Sequence, residues 1–321
     1  MRSGSIAWLI AWLALAGVAQ AQPAPLSPEQ RRIASAVPDG RSGSPDRSYV
    51  VSNEWAHRLF FEHLDGVGGA MVAVGADQAY TMAAAAGSEL IWAVDYDPVI
   101  ARTHRMYTAL VPESATPEAL IERFDEDAQD ASVRLIEARW GDDARPVVRT
   151  YRRYRRRLRV YLRNLRRYAH GSTWMNEPRW YAHVRALHAG GRVVARTADV
   201  AGPGTFEGIG EAARGLGVTV RVVYLSNLEM FVANRPQLVA NMRALPTDAR
   251  SLLLRTAYHP RLRSAPHDHW HYIVQPYPDY LARLATGRYL YANTITEDLI
   301  RTNRGGDGAS VIDDSVPMRE D

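Results

Sequence analysis

The 321-residue sequence contains no cysteine and no lysine. The first absence excludes disulfides, thiolate metal sites and lipid attachment through a thiol. The second excludes a lysine Schiff base, a lysine general base and the lysine of a phosphate-binding loop. All 39 basic residues are therefore arginine. No G-x-S-x-G nucleophile elbow, Walker loop or paired-carboxylate signature is present either. Past the N-terminus, no segment approaches the ~20 consecutive apolar residues of a membrane-spanning helix.

What is present begins with an export signal. Arg2 supplies a positive n-region, residues 6–19 form an apolar run of 14, and Ala19-Gln20-Ala21 offers small-x-small cleavage before Gln22. The expectation is a protein exported and released, periplasmic or secreted, with the signal at 1–21. Losing Arg2 takes the net charge from +4 to +3, mild for this length. Residues 22–47 are rich in Pro, Ser, Gly and Arg, which predicts a disordered leader. About 300 residues then suffice for one cysteine-free core.

The central signal lies at residues 70–98, AMVAVGADQAYTMAAAAGSELIWAVDYDP. A short apolar run (70–74) meets Gly75, a small-residue helical stretch follows, and a second apolar run (90–94) ends at Asp95. Strand, glycine turn, helix, strand and acid occur in that order, with the acid 20 residues after the glycine. That spacing places a carboxylate beside the ribose of a nucleotide bound to a βαβ unit.

Around this unit, Ser52 is a candidate N-cap for a helix carrying Trp55, Leu59, Phe60 and Leu64. Asp97-Pro98 starts a helix bearing Ile100, His104, Tyr107 and Leu110, and Thr116-Pro117-Glu118 opens another. Residues 149–168 are strongly amphipathic: Tyr151, Tyr154, Leu158, Tyr161, Leu162, Leu165 and Tyr168 share a face, and ten arginines fill the rest. Such a basic stripe can grip phosphates or an anionic membrane surface, but the amphipathic period favours a solvated face. A helix at 177–189 follows. Alternation then resumes with strands at 192–200 and 218–225 around a helix at 205–216. Helical stretches at 227–231 and 236–245, strands at 251–258 and 270–275 and a short helix at 280–285 complete the pattern. The tail, 303–321, reads as loose.

Strands alternating with helices predict an α/β fold: a doubly wound, mainly parallel sheet of Rossmann type with helices on both faces and helical insertions. The domain spans 48–302, with the helical insertion at about 112–190. Ligands of such sheets lie beyond the carboxyl ends of the strands. Those ends carry Gly75-Ala76-Asp77-Gln78, Asp95, Asp199 and Ser226-Asn227.

This ordered set resembles the class I S-adenosylmethionine-dependent methyltransferases. More narrowly, the SNEW of 52–55, VGADQAY, VDYDP, the DVAG of 199–202 and YLSNLEMF of 224–231 resemble an uncharacterised bacterial family of methyltransferase-like proteins. Its members carry an SNE segment, a GVGPEQNF-type loop and a YLSNVE segment. The resemblance implies S-adenosylmethionine as cofactor, with Glu54, Gly75, Asp77, Gln78, Asp95 and Asp199 binding it. It implies Ser226, Asn227 and Glu229 as the groups facing a small-molecule acceptor. Neither nucleic acid nor stable membrane insertion is expected.

Two alternatives stay open. Ala76, Asp77 and Gln78 stand where methyltransferases usually place glycines, as a non-catalytic exported binding module would allow. The third possibility is a metal-dependent hydrolase. His267, His269 and His271 alternate onto one side if that stretch is extended, with His259 nearby. A histidine-rich loop without a metal is the favoured reading of that cluster.

Overall fold

The computed structural model describes residues 22–318, apart from 44, 234–235, 290–291, 303 and 305 and the side chains of 292, 293 and 295. Residues 1–21, where an export signal is expected, lie outside the described residues. The strands are β1 (Ala70–Val74), β2 (Leu90–Asp95), β3 (Val193–Thr197), β4 (Val220–Ser226), β5 (Leu252–Ala257), β6 (His271–Pro276) and β7 (Ala309–Val311). Ahead of β1 come α1 (Pro28–Ser35) and α2 (Phe61–Leu64). Between β1 and β3 lie α3 (Gln78–Ala86), α4 (Pro98–Leu110), α5 (Pro117–Glu122), α6 (Gln129–Trp140), α7 (Ala144–Arg166) and α8 (Pro178–Ala189). The remainder are α9 (Thr205–Leu216), α10 (Pro236–Ala244), α11 (Tyr277–Ala285) and α12 (Ala292–Arg301).

The sheet runs β3-β2-β1-β4-β5-β6-β7. Neighbours from β3 to β5 are parallel, β6 runs antiparallel to β5, and β7 is parallel to β6. Side chains of one strand alternate between faces, and here both faces are dry, which is why the central strands are continuous apolar runs. Met71, Ala73, Ile91, Ala93, Val222 and Tyr224 point into a core shared with α3, α4, α7 and α8. Ala70, Val72, Val74, Leu90, Trp92, Val223 and Leu225 point into the other, shared with α1, α9, α10 and α11. This is the doubly wound α/β fold.

The chain before β1 departs from the expectation of disorder. Ser27 and Gln30 form a reciprocal capping box at the start of α1, with Pro28 in the first turn. Leu26, Ala34 and Val37 are buried in the core, and the Trp92 indole donates to the Ala34 carbonyl at 3.2 Å. A few apolar residues within a polar stretch are enough once a sheet face receives them. The C-terminal segment departs likewise: β7 extends the sheet, and Arg283 donates to the carbonyls of Asp313 (3.0 Å) and Val316 (2.7 Å). Residues 319–321 lie outside the described residues.

On α7 the buried face is Val147, Val148, Tyr151, Leu158, Tyr161, Leu162 and Leu165. Arg155 breaks the pattern by lying inside, where it donates to the Phe124 carbonyl at 2.7 Å.

Candidate functional site

Strand order reverses at β1 and β4. From there α3 leaves toward one face and the segment carrying α10 toward the other, which opens a crevice at the strand ends. A cavity of about 700 Å³ fills it. Gly75 and Gln78 after β1, Asp95 at the end of β2, Asp199 after β3, and Ser226 and Asn227 after β4 all line it. The volume lies in the range of small-molecule and cofactor sites.

Gly75 turns the chain with φ +95°, and a Cβ there would lie 2.6 Å from the Gln78 amide nitrogen. Glycine takes that φ without strain, and any Cβ would have to displace the Gln78 carboxamide. Its carbonyl is held from below by His104 Nε2 at 2.8 Å, while the Tyr80 hydroxyl lies 2.6 Å from Nδ1 of the same ring. Burial lowers the His104 pKa to about 4, so the ring is neutral. A neutral imidazole donates from one nitrogen and accepts at the other, so Tyr80 donates to Nδ1 and Nε2–H donates to Gly75. The residue pattern puts His104 on the packed face of its helix; its hold on the glycine turn is visible only in three dimensions.

Gln78 is nearly buried, and its Oε1 has no hydrogen-bond partner among the described residues. Asp97 caps α4 by accepting from Val99 N–H at 2.9 Å, which leaves Asp95 to the cavity. Asp95 accepts from Asp97 N–H at 2.8 Å, and burial pushes its pKa up to about 6. Asp199 accepts from Ala201 N–H at 2.9 Å. Ser226 adopts φ +53° at an irregularity in the β4–β5 ladder, a left-handed conformation costing a non-glycine residue roughly 1–2 kcal/mol. Aromatic rings border the opening: Tyr49 and Phe231 are exposed, with Tyr96 and Trp270 beside them.

Three of the nominated residues lie elsewhere. Glu54 is only 2% exposed and accepts from the hydroxyls of Tyr224, Ser226 and, at 2.9 Å, Thr256. It fastens the ends of β4 and β5 under the cavity and holds Ser226 in its strained conformation. Its own segment is anchored by Asp268, which accepts from Trp55 N–H (2.7 Å), Ala56 N–H (3.0 Å) and the Tyr272 hydroxyl (2.6 Å). Asp77 is fully buried on the helical side, where it accepts from the Trp174 indole at 2.8 Å, and desolvation pushes its pKa up to about 6. Glu229 is buried in an ion pair with Arg255 at 2.9 Å and accepts from the Tyr280 hydroxyl at 3.1 Å. None of the three lines the cavity.

The histidine cluster does not form the arrangement that a hydrolase requires. Strand β6 begins at His271, so His267 and His269 lie in the loop before it. His267 stacks on His170 with ring centroids 4.4 Å apart. Both His271 nitrogens are engaged, Nδ1 with the Arg263 carbonyl (2.7 Å) and Nε2 with the Ser310 hydroxyl (2.8 Å). Among the described residues, no group of three or more His, Cys, Asp or Glu is placed to hold a metal ion.

The sheet and the crevice at its switch point define a doubly wound α/β protein of Rossmann type. The chain belongs to the family described as Domain of unknown function (DUF7790), whose model matches residues 49–313. Two solved structures of the rRNA methyltransferase aviRa from Streptomyces viridochromogenes are similar to it, at 18% and 17% identity. Each covers 66% of this chain, with 76% and 73% of the other chain matched and a TM-score of 0.28 in both cases. A comparison with curated proteins finds no match. No helix among the described residues is long and apolar enough to cross a membrane.

Proposed function

We propose that the strand-end cavity binds an adenosine-type ligand, S-adenosylmethionine or its demethylated product, and that the protein is an exported transferase acting on a small molecule. The observation that carries this is the meeting of four separate strand ends on one cavity of about 700 Å³. In that arrangement the turn at Gly75 lets backbone approach the ligand closely. Asp95, once ionised, accepts from paired ribose hydroxyls, and Asp199 faces the base. Ser226 and Asn227 line the side left for an acceptor. The bound cofactor would supply an electrophilic methyl group; the chain's own residues orient donor and acceptor and keep water away from them. Glu54 is a positioning residue in this scheme, acting through Ser226.

A second reading, a non-catalytic binding module, is favoured by one feature. The Gln78 carboxamide packs against Gly75 at the place where a glycine-rich loop would leave open space. Calorimetry with S-adenosylmethionine and S-adenosylhomocysteine tests the proposal. Saturable binding of either, weakened at least tenfold by Asp95→Asn, is expected; no heat from both defeats it. Export is tested by sequencing the mature N-terminus, which is expected to begin at Gln22.

A further inference from the structure

A second cavity, of about 460 Å³, adjoins the first and shares Pro45, Arg47 and Asp97 with it. Four arginines line it from three parts of the chain: Arg47 on the strap before residue 48, Arg102 on α4, and Arg153 and Arg157 on α7. None of the four makes a hydrogen bond or ion pair among the described residues, whereas other α7 arginines are neutralised: Arg156 by Glu126, Arg159 by Asp125 and Arg166 by Glu118. Two acids face the four guanidinium groups. Asp46 is exposed, and Asp97 spends Oδ1 on capping α4 while its buried Oδ2 has no hydrogen-bond partner among the described residues. The guanidinium groups of Arg47 and Arg153 lie over the rings of Tyr49 (5.5 Å) and Tyr154 (5.4 Å). Stacking of that kind restrains the side chain while leaving its N–H donors free.

Unspent guanidinium donors gathered in a concavity match the oxygens of a phosphate group. We propose that this cavity is the anion subsite of the acceptor, and that the acceptor is a small phosphomonoester whose organic part reaches through the shared wall at Pro45 and Arg47 toward Ser226 and Asn227. Its assignment to the acceptor rests on the donor reading of the larger cavity; anion binding itself does not.

Calorimetry on the mature chain at low salt, with inorganic phosphate and phenyl phosphate as probes, tests this. One saturable equivalent of phenyl phosphate is expected, bound at least tenfold more tightly than inorganic phosphate. The double variant Arg153→Gln/Arg157→Gln should weaken it at least tenfold and leave S-adenosylhomocysteine affinity within twofold. A control of equal charge change at the C-terminal end of α7 and its cap, Arg163→Gln/Arg167→Gln, should keep phenyl phosphate affinity within twofold. Absence of saturable binding, or equal weakening by the control pair, overturns the site. Equal affinity for the ester and the free anion overturns its assignment to an acceptor. Retained phosphate binding with no heat from S-adenosylhomocysteine would fell the donor reading and leave the anion site standing.

Discussion

Replacing Glu54 separates a support for the cavity from a wall of it. Its carboxylate accepts from three hydroxyls supplied by β4 and β5, and two of them, on Tyr224 and Thr256, are sealed from water. Glu54→Ala leaves those two hydroxyls buried without an acceptor, at roughly 1–3 kcal/mol each. Ser226 borders the cavity and can be rehydrated, so its loss is smaller. Relaxation of the strained Ser226 backbone offsets part of this, so the expected net cost is about 2–4 kcal/mol, read as a lower midpoint in urea at unchanged slope. Glu54→Gln keeps one acceptor oxygen and obliges one hydroxyl to accept instead, and should cost about 1–2 kcal/mol. In the same Gln variant, S-adenosylhomocysteine affinity should stay within about threefold, since the side chain does not line the cavity. An Ala variant within about 1 kcal/mol of the parent would refute the reasoning. So would a Gln variant of parental stability with more than tenfold weaker binding, which would put Glu54 back in contact with ligand.

Three further outcomes follow from the geometry. Burial holds the carboxyls of Asp77 and Asp95 at about 6, above the roughly 3.9 of an unfolded chain. Between those values the folded state binds more protons, so their contribution to stability is present at low pH and is lost as pH rises through 6. Asp77→Asn should therefore flatten the fall in urea stability between about pH 4 and 6.5, and a profile parallel to the parent's would contradict this. Gly75→Ala forces a side chain into φ +95° and against Gln78; a loss of roughly 1–3 kcal/mol in thermal melts and weaker ligand binding are expected, with no change in either as the contrary result. Arg255→Met strands a buried carboxylate at roughly 3–5 kcal/mol, while the double change Glu229→Met/Arg255→Met should recover much of that. The parent guanidinium already leaves Nε and Nη2 without partners, so the apolar replacement forfeits little; a double variant worse than both singles would count against it.

The placement of much of the candidate site was legible before any coordinates, and the pieces that were share a physical character. Gly75 and Asp95 each end an apolar run buried on both faces, Ser226 ends the mostly buried β4 and Asp199 follows the edge strand β3, and a parallel sheet delivers such ends to one rim. Asp97 followed by Pro98 announces its own helix, and so does Thr116 before Pro117. Glu54, Asp77 and Glu229 were misplaced because motif position says where a residue lies along the chain, not which way its side chain points. The hydroxyls that hold Glu54 come from 170 or more residues away.

Local order in the sequence determined the succession of strands and helices, the two-sided burial of the central sheet and the rim on which polar groups collect. Apolar period and helix capping depend on residues within a few positions of each other, so one chain read alone contains them. Tertiary packing alone decided that the leader and tail are built into the core, that three carboxylates turn inward, and that the histidines are parted between a loop and a strand. It also decided that arginines from three separate segments converge beside the main cavity. Each of those outcomes depends on which distant surface a side chain meets, and that partner is supplied only when the sheet and its covering helices assemble.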